Sequence, residues 1–183
     1  HGLREDDRLG ILHTDNGNPS IIAENLEPSE AITKTLVETL SDGAVLSFGL
    51  ESADPSVHEA NWLNCDPAQL KTAIRLINKH GRVRGERGLP RLLPGLNFIA
   101  GLNGETEATY GMNMALLRDI RSEGLLLRRI NIRQVEGEGF QEVPSDAFAE
   151  FKTACRDDID KPLLEELFPL GQVIHDVHWE SHD

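Results

Sequence analysis

The sequence predicts an α/β protein whose parallel sheet is built from successive strand-helix units. Short apolar runs alternate along the chain with segments whose apolar residues recur at the helical period. One run, Ala44 to Leu50 (AVLSFGL), is too continuously apolar for a strand with one exposed face. A polar or glycine-containing loop follows each run. Right-handed crossovers would therefore bring these loops to one rim of the sheet.

The first two units lie in the first 81 residues. We expect a strand over residues 9–13, a polar loop over 14–19, and a helix that begins near Pro28 with Ile32, Leu36, Val37 and Leu40 on one face. The second strand, 44–50, is followed by the loop 51–55. Asp66 then predicts the cap of a helix that ends at Gly81.

The third unit is the stretch from Leu93 to Tyr110 (LPGLNFIAGLNGETEATY). Pro94-Gly95 predicts the end of a long loop over 81–95, and residues 96–100 then form a buried strand. Gly101 and Gly104 flank a turn, and Thr106 caps a helix that carries Tyr110, Met114 and Leu117. Backbone N–H groups of such a glycine turn can hold a ligand, although a turn that needs glycine only for its φ angles is an equally open interpretation.

The fourth unit begins with residues 125–135, which pass from an apolar run into alternation of apolar and polar side chains. Ser145 predicts the cap of a helix with Phe148, Phe151 and Ile159 inside, and Pro162 and Pro169 bracket a shorter helix. Residues 173–179 resemble a final strand. On it, Asp176, His178, Glu180 and His182 would share a face that suits a divalent cation, but a frayed acidic terminus is the favoured interpretation.

Seven residues of the four strand-end loops are the first candidates for a site, although a solvated loop or a helix cap explains each of them separately. They are Asp15, Asn16, Glu51, Ser52, Gly101, Glu105 and Arg133.

Composition limits the partners of the chain. The 183 residues, 39% of them hydrophobic, suit one domain, and Asp and Glu outnumber Lys and Arg by 31 to 18, giving a net charge of −13. An acidic, lysine-poor surface indicates adaptation to high salt and disfavours direct nucleic-acid binding. There is no apolar window long enough to span a membrane and no leader, so we expect no membrane partner and a cytoplasmic location. Cys65 and Cys155 have no partner at metal-ligand spacing.

Three motifs, in this order and spacing, carry a resemblance. They are Phe48 to Ser52 (FGLES), Phe98 to Thr106 (FIAGLNGET) and Arg129 to Val135 (RINIRQV). Together they resemble the second half of the radical S-adenosylmethionine (SAM) superfamily core, closest to archaeal iron–sulfur oxidoreductases related to tRNA methylthiotransferases. The resemblance implies strands three to six of a TIM-like partial barrel over 1–160, with a helix and the start of a truncated β segment over 161–183.

The resemblance also implies a function and a site. The parent enzyme would cleave SAM reductively to a 5′-deoxyadenosyl radical, using a four-iron, four-sulfur cluster. Glu51 and Ser52 would contact the ribose or methionine end of SAM. The turn from Gly101 through Gly104 to Glu105, with backbone near Ile132, Arg133 and Gln134, would border the adenine.

The departures from the family are as informative as the matches. The cluster needs three thiolates in one Cys-x-x-x-Cys-x-x-Cys loop, and this chain has two distant cysteines. The glycine-rich segment that receives the SAM amino group in the family is also missing. Asn61-Trp62-Leu63 stands where many relatives have an arginine, and Glu136 to Gly139 stands where many have a Pro-Gly turn.

We therefore expect a fragment that begins at His1, is inert alone, holds no bound cofactor and lacks the amino-terminal part of its own protein. The substrate stays unknown. Self-association through the exposed sheet edge is possible, unless residues 1–7 or 81–95 cover that edge. The main alternative is a non-catalytic α/β binding module from a halophilic cell. A phosphate-binding barrel enzyme would need a basic anchor near Gly101 to Gly104, and the sequence there has none.

Overall fold

The structure is a computed structural model that describes residues 10–175. Its center is one sheet of four strands in the order β1-β2-β3-β4, and every neighbouring pair is parallel. The strands are β1 (Asn16–Gly17), β2 (Ala44–Glu51), β3 (Leu92–Ala100) and β4 (Arg129–Gln134). The predicted α/β class and the parallel sheet of successive strand-helix units are therefore confirmed.

Helices connect the strands and cover one face of the sheet. They are α1 (Pro19–Glu24), α2 (Leu26–Thr39), α3 (Pro55–Asn61), α4 (Pro67–Gly81), α5 (Glu107–Ser122), α6 (Ser145–Ala154) and α7 (Lys161–Leu167), with a π-helical segment, Cys155–Asp160, between the last two. Helix α4 contacts β2 and β3, while α1 and α2 lie against α4. In the part of the chain that the structure describes, no helix is long and apolar enough to cross a bilayer.

The two faces of the sheet differ because side chains alternate along each strand. Large apolar residues of the helix-covered face are almost fully buried: Phe48, Leu50, Leu96 and Phe98. The Phe98 ring meets Phe151 of α6 edge to face, with 5.6 Å between ring centroids. Burial of this apolar surface is the main force that holds the described helices on the sheet.

The predicted first strand is wrong. Residues 10–15 form no strand, and the ladder is limited to Asn16–Gly17. Leu12 instead bonds to the end of the first crossover, since its N–H donates to Ser41 Oγ at 2.9 Å and its carbonyl accepts from Ser41 N–H at 2.9 Å. In the described part of this apolar run, Leu12 therefore packs against the core instead of pairing with β2.

The first crossover also differs from its prediction. Helix α1 lies partly in the predicted loop, where the Asn18 side chain accepts hydrogen bonds from Ser20 N–H and Ile21 N–H. Helix α2 begins at Leu26 rather than near Pro28. Its predicted inner residue Ile32 is 60% exposed, while the polar Thr33 is buried. The Thr33 hydroxyl is satisfied in this position, since it donates to a carbonyl of the preceding turn.

The predicted loop over 81–95 is too long by several residues. Strand β3 begins at Leu92, so Pro94 and Gly95 lie inside it. Proline is tolerated because its nitrogen faces β4, whose ladder with β3 begins only at Gly95, and the Pro94 carbonyl still accepts from Arg128 N–H at 2.8 Å. Residues 92–95 pair with β2 and Gly95 pairs with β4, so this part of 81–95 does not cover the edge beside β1.

The other predicted helices are confirmed. Asp66 caps α4 in a reciprocal capping box with Gln69, and α5 follows Thr106 as predicted. Pro144, rather than Ser145, occupies the cap position of α6. The inner residues predicted for the α6 region are buried, namely Phe148, Phe151 and Ile159.

The carboxyl-terminal predictions have mixed outcomes. Leu163 and Leu167 of α7 join the same core, directly beyond the predicted boundary at 160/161. Residues 173–175 form no strand. The rest of the predicted final strand, with its proposed metal face, lies outside the described residues. Residues 1–7, which were predicted as one possible cover of the sheet edge, also lie outside them.

Candidate functional site

The carboxyl ends of β1 and β2 border a cleft of about 450 Å³. Three segments line it: residues 16–19 after β1, residues 49–51 at the end of β2, and residues 62–65 after α3. Polar groups from the first segment and Glu51 from the second therefore face one space. The predicted position of a ligand site at the strand ends agrees with this geometry.

Glu51 is the most unusual residue of this rim. Its φ angle is 69°, a left-handed conformation that costs a residue with a Cβ about 1–2 kcal/mol. The ladder between β2 and β3 shifts register between Gly49 and Glu51, which gives the bulge that turns the side chain. Strain of this kind in a non-glycine residue is characteristic of functional sites.

One oxygen of the Glu51 carboxylate has no hydrogen-bond partner. Its Oε2 atom is buried and accepts no hydrogen bond. Burial raises the pKa of Glu51, and the positive charge of Arg133 on β4 opposes that rise. A buried acceptor without a donor costs free energy, so a ligand hydroxyl or ammonium at this point would remove the cost.

Hydrogen bonds to α5 fix the turn after Glu51. Asn113 Oδ1 accepts from Ala53 N–H at 2.7 Å, and Thr109 Oγ1 donates to Asp54 Oδ2 at 2.6 Å. These two polar residues sit on the buried face of α5 and were not among the predicted site residues. The sequence could have indicated these two residues, because they are four positions apart and lie beside the apolar positions of that helix.

Ser52 faces the interior instead of the cleft. Its hydroxyl is fully buried and accepts from Asp54 N–H at 3.1 Å, while its carbonyl lies 2.5 Å from His58 Nε2. In this arrangement the Ser52 side chain shapes the turn that carries Glu51. A direct contact between the hydroxyl and a ligand would require these bonds to rearrange.

The glycine turn after β3 is occupied by the chain itself. Gly101 N–H donates to Glu105 Oε2 at 2.7 Å, and Gly104 N–H donates to Gln141 Oε1 at 3.1 Å. The expectation that these N–H groups are free for a ligand is therefore wrong. Gln141, which the sequence did not single out, also donates to the Glu105 carbonyl at 2.5 Å.

Glu105 is a second buried carboxylate. Tyr110 Oη donates to its Oε2 at 3.2 Å, while its Oε1 has no hydrogen-bond partner. Burial raises the pKa of Glu105, and the bonds from Gly101 and Tyr110 reduce the rise. Glu105 therefore holds the turn closed beneath residues 135–141, away from the Glu51 cleft.

The remaining predicted residues lie on or beside β4. Ile132 pairs with Phe98 and packs on the helix-covered face of the sheet. Gln134 is exposed, donates to Glu136 at 2.8 Å and borders a separate cavity of about 510 Å³ with residues 135–145. The structure thus brings Asn16 and Glu51 to one cleft, with Arg133 close enough to influence the Glu51 carboxylate. Gly101, Gly104, Glu105 and Gln134 lie in a second group.

Trp62 is a cleft residue that the sequence flagged only as a departure from the family. It is 88% exposed and has a left-handed φ of 50°, which ends α3 and turns the chain past the cleft. An exposed indole beside an acceptor carboxylate offers a stacking surface for a planar ring. It also supplies a fluorescent reporter within the cleft.

The two thiols do not suit a metal cluster. Cys65 borders the cleft and Cys155 begins the π-helical segment, and both are buried. Burial raises the pKa of each thiol to about 12, which disfavours the thiolate that iron requires. Within residues 10–175, no group of three His, Cys, Asp or Glu side chains could hold a metal ion.

Comparison with known proteins gives relatives whose names state no function. No protein-family model matches the chain. An uncharacterized protein of Archaeoglobus fulgidus is 41% identical over 183 residues, and one of Methanocaldococcus jannaschii is 37% identical over 189 residues. The matches cover 94% and 98% of this chain but 35% of each relative, so the chain spans about a third of their length.

Proposed function

We propose that this chain is part of a radical SAM enzyme and that the Glu51 cleft binds SAM. In this proposal the sheet is a portion of a TIM-like partial barrel, and the parent protein cleaves SAM reductively. The resemblance of three motifs supports the proposal, as does the parallel sheet on which they lie. One observation carries it: Glu51 lines a cleft at a strand end, and its buried Oε2 atom accepts no hydrogen bond.

SAM fits the groups that line this cleft. Its ribose hydroxyls and its ammonium are donors that would satisfy the Glu51 carboxylate, and its adenine is a planar ring that would stack on Trp62. When bound, SAM supplies an activated sulfonium whose reduction starts radical chemistry. The chain's own residues would bind and orient the cofactor, since Glu51 is fixed by its bulge and by the turn anchored on α5.

The iron–sulfur cluster does not fit the residues of this chain, because two buried and separate thiols cannot supply three thiolates. We therefore assign no step through a cluster to these residues. In the proposal, the cluster ligands belong to another part of the longer protein.

A binding experiment tests the cleft. SAM is titrated at millimolar concentrations into the chain carrying Trp179→Phe, so that Trp62 is the single indole and its fluorescence reports on the cleft. Glu51→Gln should weaken SAM at least about tenfold, because hydrogen bonds to charged groups contribute about 1.5–3 kcal/mol. Glu59→Gln on the exposed side of α3 changes the charge equally and should leave the affinity unchanged.

Two outcomes would contradict the assignment: no saturable change in Trp62 fluorescence, or equal losses in the two variants. The enzyme class is tested separately on the full-length Archaeoglobus fulgidus relative purified without oxygen. Iron and acid-labile sulfide in that protein are expected. Their absence after anaerobic reconstitution would favour the alternative of a non-catalytic binding module.

A further inference from the structure

The face of the sheet opposite the helices carries a stripe of polar side chains in register. One row across β2, β3 and β4 is Ser47, Gly95 and Arg129, and the next row is Gly49, Asn97 and Asn131. One row nearer the amino ends, Val45 and Leu93 are apolar and Leu93 is buried. The polar stripe is therefore bounded by apolar residues toward the amino ends of the strands. It extends toward Glu51 and Arg133 at their carboxyl ends.

Arg129 is positioned on this face by its neighbours. Its Nη2 donates to Ser47 Oγ at 2.8 Å, two strands away, so the side chain lies across β3. It can do so because the crossed position is Gly95, where a Cβ would come within 3.2 Å of Arg129 Cγ. The preceding residue, Arg128, points to the other face and stacks on Phe168 at 5.4 Å.

The charge of Arg129 is not neutralised by a neighbour. Within residues 10–175, its hydrogen bond to Ser47 leaves further guanidinium N–H donors free, and no carboxylate lies within ion-pair distance of it. This is notable in a chain with a net charge of −13, where acidic side chains outnumber basic ones. The planar guanidinium of Arg129, which crosses β3 at a glycine, can donate two parallel hydrogen bonds to a carboxylate or a phosphate.

The amide pair in the next row adds a second kind of recognition. Asn131 Nδ2 donates to Asn97 Oδ1 at 2.8 Å, which leaves one carbonyl oxygen and one NH₂ group of the pair for other partners. Gly49 completes the row, and the Glu51 side chain occupies the space beside it. A donor and an acceptor thus lie side by side, about 6.6 Å from the Arg129 row along the strand.

We propose that this helix-free face holds the anionic end of a small substrate, with Arg129 binding its carboxylate or phosphate and the Asn97–Asn131 pair bonding an adjacent polar group. Arg129 lies about 17 Å from the rim residue Gln134 along β4, so this ligand would lie on the face of the sheet rather than at its rim. The identification of this ligand as the substrate rests on the proposed function, because the stripe leads to the Glu51 cleft. The existence of the anion site does not rest on the proposed function.

The test uses the isotopically labelled chain and two probes at constant ionic strength. Succinate represents a carboxylate source and glycerol 2-phosphate a phosphate source. The expected result is a saturable shift of the Arg129 Nε–H and Asn97 and Asn131 side-chain amide resonances with at least one probe, which identifies the source. Arg129→Gln should weaken that binding at least about tenfold, since bonds to charged groups contribute about 1.5–3 kcal/mol.

Arg118→Gln is the matched control, because Arg118 is an exposed arginine on α5 that is paired with Asp158 at 2.9 Å. It should leave the affinity for the probe unchanged, and Arg129→Gln should leave SAM binding at Trp62 unchanged. Shifts that never saturate, shifts that miss the three side chains, or equal losses in both variants would overturn the anion site. Probe binding without SAM binding would keep the site and remove the proposed function.

Discussion

Glu51 folds back over Gly49, so that its carboxylate fills the space that a side chain at position 49 would need. A Cβ built at Gly49 would overlap Glu51 Oε1. Gly49 therefore leaves the space that the Glu51 carboxylate occupies beside the cleft. The register shift in the ladder between the two residues has the same effect.

Gly49→Ala should displace the Glu51 carboxylate and weaken SAM binding at least about tenfold, because the bond to a charged acceptor is lost or distorted. The same substitution at Gly111 on the exposed side of α5 is a suitable control, since nothing lies within 4 Å of its Cβ position. Gly111→Ala should stabilise the chain by about 0.5–1 kcal/mol and leave binding intact. Equal SAM affinity of Gly49→Ala and wild type, measured by Trp62 fluorescence, would contradict the role given to Gly49.

Glu105 should make stability depend on pH. Burial raises its folded-state pKa, so the favourable contribution of the protonated form is complete below the unfolded pKa and is lost as pH rises through the folded value. Glu105→Gln removes this titration. The free energy of unfolding of the variant, minus that of the wild type, should therefore increase from pH 4 to pH 8 in denaturant titrations.

A difference that stays flat with pH would show that the Glu105 carboxyl has its ordinary pKa in the folded chain. Glu107→Gln is the control, because Glu107 is an exposed residue of the first turn of α5. The informative quantity is the slope of the difference in unfolding free energy against pH. A constant offset would arise if the new amide leaves a buried donor without a partner at the position of Oε1.

Salt should stabilise the chain over the molar range. With 31 acidic and 18 basic residues the folded state repels itself, and potassium chloride screens that repulsion. Salt also weakens exposed ion pairs such as Arg75–Glu123, whose Nε and Oε2 atoms are 2.8 Å apart. We expect the excess of like charges to dominate, so that the thermal midpoint rises; a flat or falling midpoint would mean that the composition is not a halophilic adaptation.

The chain alone should bind no iron–sulfur cluster during anaerobic reconstitution. Its two thiols are buried and belong to different elements, and three thiolates are needed at one cluster. Iron and sulfide analysis after gel filtration makes the measurement. A brown protein with thiolate-to-iron absorbance, lost together in Cys65→Ser, would contradict this prediction.

The sequence determined the class of the fold and much of its order, because apolar periodicity depends only on which faces must be buried. The run Ala44 to Leu50 is one example, and the helix that follows Asp66 is another, since local capping atoms define its start. The same reasoning placed Glu51 at a strand end. It could not place β1, because two residues of ladder leave almost no periodic signal.

Only the tertiary structure decided which groups of the rim are free. Gly101 and Gly104 had the sequence of a ligand-binding turn, but Glu105 and the distant Gln141 occupy their N–H groups. Glu51, in contrast, keeps an unpartnered oxygen because a bulge and two bonds from α5 hold it there. Hydrogen-bond satisfaction depends on atoms brought together from far apart in the chain, so no local pattern reports it.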